Sequence, residues 1–307
     1  MKRRAIAVAA GLAALLLAAI PWILNTYLVT FLYLGLVSLA LAQSYDWVGG
    51  HLGYMNLGQA AFFGIGAYAG GVLLTKSLPA AVAFAAAAVV PAIFAAAIAV
   101  PFFRLRGAYF GLATFGLVAL MELLAHNLER ITGGALGLSL PPGNRLVPAY
   151  YLTLVLVIGM VGVTLWVGRT RYGLALRSIQ DDEEAAGTFG INALKVKCAV
   201  LVASAAMAGL TGGIYGWYIT FLTPPGVFGL DKALGPVVMA MLGGSGTVAG
   251  PFVGAAFLSA VEEILRVKVG AYVLTAYGGI LILMGLLLPN GITRLPLWRR
   301  LFGATRP

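Results

Sequence analysis

The sequence predicts an all-α fold, a polytopic transmembrane helix bundle, and three observations carry that reading. Hydrophobic residues make up 61% of the 307 positions and charged residues only 10%, whereas a soluble domain carries roughly 25% charged residues. Mean hydropathy is +0.96, so in water the chain would expose far too much apolar surface to stay dissolved as a monomer. The apolar runs are also continuous, as in Ala5–Leu24 and Ala80–Val100. In hydrocarbon every backbone polar group must be satisfied internally, which leaves helix bundles and closed barrels. Barrel strands would alternate in polarity over about 10 residues. These runs do not alternate, and at about 1.5 Å per residue they span a bilayer core of about 30 Å.

The elements are taken in chain order. Lys2, Arg3 and Arg4 ahead of an apolar stretch have the form of a signal peptide, but the stretch runs on to Leu24 and another starts at about Tyr27. A retained first crossing fits better than a cleaved leader. Crossings are expected at about 5–24, 27–44, 57–75, 79–100, 108–125, 149–168 and 197–218, then in shorter pieces near 233–242, 252–265 and 271–288. That makes about ten crossings in a single domain, 1–307, with both termini cytoplasmic. This orientation puts fourteen Lys/Arg inside, among them Arg104, Arg106, Arg169, Arg171, Arg177, Lys195 and Lys197. Six remain outside: Lys76, Arg130, Arg145, Lys232, Arg266 and Lys268. The bias obeys the positive-inside rule. The net charge of +10 is scattered between apolar spans, which argues for membrane orientation and against nucleic-acid binding. The single cysteine, Cys198, excludes an intrachain disulfide and a cysteine-cluster metal site. It reads as a small buried residue.

Two stretches interrupt the pattern. Gly49–Gln59 and Gly243–Pro251 are glycine-rich, polar, and lead directly into apolar runs. Non-helical backbone at membrane depth survives only when buried in protein or lining a wet cavity, and broken helices in both halves of a chain point to a transport route. Ordinary loops between short helices are the alternative. Gly58-Gln59-Ala60-Ala61-Phe62 is faintly echoed by Gly254-Ala255-Ala256-Phe257, but the positions in the crossing order do not match an inverted repeat.

The most polar segment is about 169–197. It carries Arg169, Arg171, Arg177, Lys195 and Lys197 with four consecutive acids, Asp181, Asp182, Glu183 and Glu184. Asp181 and Glu184 have capping-box spacing, with Asp in place of Ser/Thr, and acids in a first turn complement the helix dipole. Gly190 is placed to end the helix in a left-handed cap. A short helix is therefore expected at about 182–189. It is either a connection that happens to be helical or a docking element presenting Ala185, Ala186 and Gly187 to a cytosolic partner.

Several blocks in the same order resemble the LivM-type permease subunits of ABC importers for branched-chain amino acids. They are Gly53–Tyr68 (GYMNLGQAAFFGIGAY), Arg106–Phe110, Thr132–Gly134, Gly173–Ala186, Gly190–Asn192 and Gly243–Pro251. Gln180 departs from the basic residue usual there, which softens the pairing of the loop with its partner. The resemblance implies a homologous LivH-like permease as partner, two cytosolic ABC ATPase subunits below, and a periplasmic amino-acid-binding protein that delivers substrate. It implies residence in the bacterial inner membrane, with lipid as surroundings and no cofactor. It makes the helix near 182–189 a coupling helix, with Arg177, Asp181, Asp182, Glu183, Glu184, Ala185, Ala186, Gly187 and Gly190 as the coupling set. No Gly-x-x-x-x-Gly-Lys-[Ser/Thr] loop occurs, so ATP hydrolysis is expected on other chains. Related permeases carry urea or short amides, and that substrate class stays open.

Candidate pathway residues are Asn56, Gln59, Thr114, Ser204, Gly244, Ser245 and Thr247. Asn56 and Gln59 are read as bonding substrate or, more simply, another helix. Thr114 and Ser204 are read as bonded to their own helix backbone. Glu122, about 21 Å along its helix, is expected near the outer interface, and as the one candidate buried ionisable group it gives little support for an ion-coupled transporter. His51 and His126 lack partners spaced for a metal, no catalytic set lies within the crossings, and Tyr215, Trp217 and Tyr218 are read as an interfacial aromatic belt.

Overall fold

A computed structural model describes residues 17–269 and residue 279. Residues 17–23 are helical. The crossing expected at 271–288 and the basic residues at both ends of the chain lie outside the described residues, residue 279 apart.

Asn25 starts α1 (Thr26–Gly49) by accepting the Leu28 N–H on its side chain. The helix is longer than the 27–44 expected, and its last turns are fully buried. Next come α2 (Gln59–Thr75), α3 (Ala80–Phe102) and α4 (Ala108–Asn127). The short α5 (Glu129–Thr132) leads to the two-residue strand β1 (Leu138–Ser139). The second half holds α6 (Leu146–Val167), α7 (Arg171–Asp181), α8 (Glu183–Thr188) and α9 (Ala193–Ile219). It ends in β2 (Phe221–Leu222), α10 (Pro224–Phe228), α11 (Leu230–Gly243) and α12 (Gly250–Val269). Six spans among the described residues are long and apolar enough to cross a membrane: α1, α3, α4, α6, α9 and the joined α10–α11 stretch Pro224–Gly243. The last is longer than the piece expected at 233–242.

The core is built on small residues. In lipid there is little hydrophobic drive between helices, so contact depends on close backbone approach. On α3 the buried residues Ala83, Ala87, Pro91, Ala95 and Ala99 recur every four positions and form one smooth stripe. The central α9 lies against that stripe and against α2. A Cβ on Gly66 would fall 2.1 Å from the Gly209 carbonyl oxygen, and one on Gly212 would fall 2.0 Å from that of Phe63. Only hydrogen fits at either point. On the other side, α1 is tied to α6 through Thr164 Oγ1, which accepts from Gln43 Nε2 at 3.1 Å and Trp47 Nε1 at 2.8 Å.

At the end away from α7 and α8, β1 and β2 pair antiparallel, Leu138 opposite Leu222 and Ser139 opposite Phe221. The aromatic residues there pack between helices. Tyr215 is buried beside Phe63, Tyr218 packs on Tyr33, and Trp217 meets Phe84 while Arg145 lies over its ring. Through these contacts they join α9 to α1, α2 and α3. Cys198 is half-buried.

Candidate functional site

The polar segment folds as two helices. α7 is amphipathic, burying Gly173, Leu176 and Ile179 on one side. Because α7 continues through Asp181, that residue is helical and cannot cap α8. The chain turns extended at Asp182 (φ −158°, ψ 110°), and its carboxylate accepts the Glu184 and Ala185 N–H groups at 2.9 and 3.0 Å. The cap of α8 is therefore Asp182, and the expected Asp181–Glu184 box does not form. The other end agrees with expectation. Gly190 is left-handed (φ 82°), with Gly190 N–H to the Gly187 carbonyl at 3.0 Å and Ile191 N–H to that of Ala186 at 3.1 Å. That is the double bond pattern of a Schellman cap. Arg177, Asp181, Glu184, Ala185 and Gly187 are exposed, but Ala186 points inward among Leu52, Leu176 and Ile179. Its place on the open face is taken by Phe189, 85% exposed.

Glu183 is turned toward the bundle. Its Oε1 lies 2.6 Å from the buried Lys197 Nζ, and its Oε2 accepts from the Tyr54 hydroxyl at 2.9 Å. The Tyr54 hydroxyl in turn accepts from Lys197 Nζ at 3.1 Å, closing a triangle. Lys197 Nζ also sits 4.9 and 5.2 Å from the ring centres of Tyr54 and Phe103, where ring faces attract a cation. Phe110 stacks on Phe103 and meets Tyr54 edge-on. Partial burial raises the Glu183 carboxyl, but the Lys197 and Tyr54 hydrogen bonds outweigh it and hold the group below its ordinary value. A second tie joins Gln180 Nε2 to the Gly50 carbonyl at 3.0 Å. Residues 171–188 are thus fastened to the first glycine-rich break at two points.

The two breaks meet each other. Asp46, near the end of α1 and fully buried, accepts from Ser245 Oγ at 3.0 Å and Gly246 N–H at 2.8 Å through Oδ1. His51 Nδ1 lies 3.0 Å from the Asp46 carbonyl and 3.4 Å from its Oδ2. In the second break, Thr247 Oγ1 donates to the Gly244 carbonyl and accepts the Gly250 N–H, closing the turn into α12. Gly244, Ser245 and Thr247 therefore share one compact turn against α1.

The remaining candidates form a buried polar cluster where α2 begins. Gln59 Nε2 donates to Ser44 Oγ at 3.1 Å and to Ser204 Oγ at 3.0 Å, and Ser204 Oγ donates to the Ser44 carbonyl at 2.7 Å. Gln59 bonds between helices, as expected. Ser204 does too, contrary to the reading that gave it to its own helix, because its hydroxyl faces the Ser44 carbonyl on α1. Thr114 does bond its own helix, at the Gly111 carbonyl, and also accepts the Leu57 N–H at 3.0 Å. Asn56 Oδ1 accepts the Gly58 N–H, and Asn56 Nδ2 and Gln59 Oε1 have no partner among the described residues. Ser204 is eleven residues into α9, about 16 Å along it, so residues 50–58 rise well into the bundle before α2 starts.

Asp46, Tyr54 and the inward role of Lys197 are not evident from the sequence alone. The available signal is an acid inside an apolar run, a position costly enough to mark function; ending the crossing at 44 puts Asp46 in a loop and hides it. Asp46 and Lys197 are fully buried and Glu122 only partly so, which corrects the choice of Glu122 as the one candidate buried ionisable group. Among the described residues no three His, Cys, Asp or Glu are grouped to hold a metal.

Comparison with known proteins places the sequence in a family. The family described as branched-chain amino acid transport system / permease component matches residues 23–288. The permease protein LivM of the high-affinity branched-chain amino acid transport system of Escherichia coli is 26% identical, over 94% of this chain and 75% of its own. The corresponding BraD of Pseudomonas aeruginosa is 26% identical over 88% of this chain and 95% of its own. LivH of Salmonella typhimurium is 29% identical over 47% of this chain and 46% of its own. No solved structure matches. The chain is a multi-pass membrane protein and belongs to the branched-chain amino acid transport permease family.

Proposed function

We propose that the chain forms part of the translocation pathway of an ATP-driven ABC importer for branched-chain or related hydrophobic amino acids in the bacterial inner membrane. Its partners in this reading are a LivH-like permease, two cytosolic ATPases and a periplasmic amino-acid-binding protein. About ten crossings leave both termini, α7, α8 and both glycine-rich breaks on the cytoplasmic side. α8 is then the coupling helix: Asp181, Glu184, Ala185, Gly187 and Phe189 face an ATPase, Asp182 and Gly190 cap the element, and Glu183 and Ala186 root it in the bundle.

One observation carries the reading. An exposed face bearing Glu184 on a capped six-residue helix adjoins a part-buried Glu183–Lys197–Tyr54 triangle rooted on the buried lysine. A mere connection needs neither the caps nor the anchor, whereas a lever needs both: a free face to be pushed and a root that moves what lies behind it. The pathway runs along the polar cluster of Asn56, Gln59, Ser204 and Thr114, whose unpartnered amide atoms suit the ammonium or carboxylate of a zwitterion without an intramembrane charge. The test is reconstitution in proteoliposomes with all partners. Uptake of labelled leucine should need ATP, both ATPases and the binding protein. Gradient-driven uptake by this chain alone would overturn the proposal.

A further inference from the structure

Gly50 is gripped from both sides. Its carbonyl accepts from Gln180 on α7, while its Cα faces Asp46 and the second break. A Cβ there would lie 2.0 Å from Asp46 Oδ1 and 2.3 Å from the Gly246 nitrogen. The same closeness holds in reverse, since a Cβ on Gly246 would lie 2.7 Å from the Gly50 carbonyl oxygen. Gly246 takes a left-handed φ of 76°, which a glycine adopts without cost and which turns its N–H onto Asp46. Beyond it, α11 and α12 pack as a tight glycine hairpin in which a Gly254 Cβ would fall 1.7 Å from the Met239 carbonyl oxygen. Such packing moves as a unit, because close-packed backbone cannot deform gradually.

We propose that Asp46, Gly50 and Gly246 form a latch through which a displacement of residues 171–188 is passed to α11 and α12. This rests on the reading of α8 as the contact for an ATPase. Asp46 is a positioning residue in this scheme: it holds two breaks about 200 positions apart in sequence as one body. Gln180 is the input, the Gly50 backbone the bearing, and the second break the output. Gln180 suits that input, since a neutral amide can donate to a carbonyl beside a buried acid without adding charge.

The test is hydrogen exchange of the full chain in lipid nanodiscs, read on a peptide covering 243–247. Asp46→Ala removes the acceptor of the Gly246 N–H and should speed exchange there roughly tenfold. Asp46→Asn keeps an acceptor oxygen and should stay close to wild type, separating hydrogen bonding from misfolding. The decisive variant is Gln180→Leu, which touches neither residue but should also speed exchange at 243–247 by roughly fivefold. Unchanged exchange at 243–247 in Gln180→Leu, or in Asp46→Ala, would overturn the latch. In the assembled transporter, Gln180→Leu should keep wild-type ATP hydrolysis while importing less substrate per ATP. If wild type shows no ATP-dependent uptake, the proposed function fails, and the exchange result still decides the latch.

Discussion

Lys197 Nζ sits 2.6 Å from Glu183 Oε1, yet the two side chains differ sharply in exposure, 3% for lysine and 31% for glutamate. This asymmetry sets what each substitution does. Glu183→Gln strands an ammonium inside protein, where an unpaired charge is expensive; Lys197→Met leaves a carboxylate that water can reach. Glu183→Gln should therefore destabilise by about 2–4 kcal/mol and Lys197→Met by about 1–2 kcal/mol. Thermal unfolding in nanodiscs checks the order, and the reverse order would contradict the geometry.

The same carboxyl gives a pH dependence with a definite sign. Its folded value lies below the ordinary glutamate value, about 4.3, because Lys197 and Tyr54 bond the charged form. The stabilisation is complete above that ordinary value and is lost as pH falls through the lower folded value. Melting temperature should not vary with pH through this group between roughly pH 5.5 and 8. Below the ordinary value, wild type should lose an increment that Glu183→Gln does not.

The exposed acids are a separate matter. Asp181 and Glu184 face outward, Glu184 lying 3.8 Å from the equally exposed Arg106, and neither roots nor caps α8. If α8 is the proposed ATPase contact, replacing both with lysine should weaken co-purification with the ATPases roughly tenfold while membrane insertion and melting stay near wild type. Altering Asp182 or Glu183 instead would remove the cap or the root and mix docking with folding.

Gly212 tests the core. A Cβ there collides with backbone at 2.0 Å, so Gly212→Val must force α2 and α9 apart. A cost above about 3 kcal/mol is expected, seen as lost expression or a collapsed melting temperature. Gly116, where a Cβ meets nothing within 4 Å, should accept alanine with little change.

The legible parts of the molecule are those set by local chemistry. Apolar runs announce helices because lipid permits little else, and Gly190 announces a left-handed cap because few residues can occupy one. Asp182 cannot be told from Asp181 in the sequence, because the choice depends on where α7 stops, which is fixed by Leu176 and Ile179 packing on Leu52. Each glycine-rich break is visible alone. Their meeting is not, since Asp46 and Gly246 are joined only by the folding of the whole bundle. Ser204 escapes local reasoning in the same way: its partner Ser44 lies on a distant stretch of chain.

On the proposed function, this chain is opened and closed by ATP hydrolysed on partner subunits. The most direct measurement is leucine accumulation in proteoliposomes holding the complete transporter, with wild type compared against the Asp181→Lys, Glu184→Lys variant. Wild type should accumulate leucine only with ATP and binding protein present, and the variant should lose accumulation in step with ATPase binding. Equal accumulation by both, or accumulation without ATP, would contradict ATP-driven gating through α8.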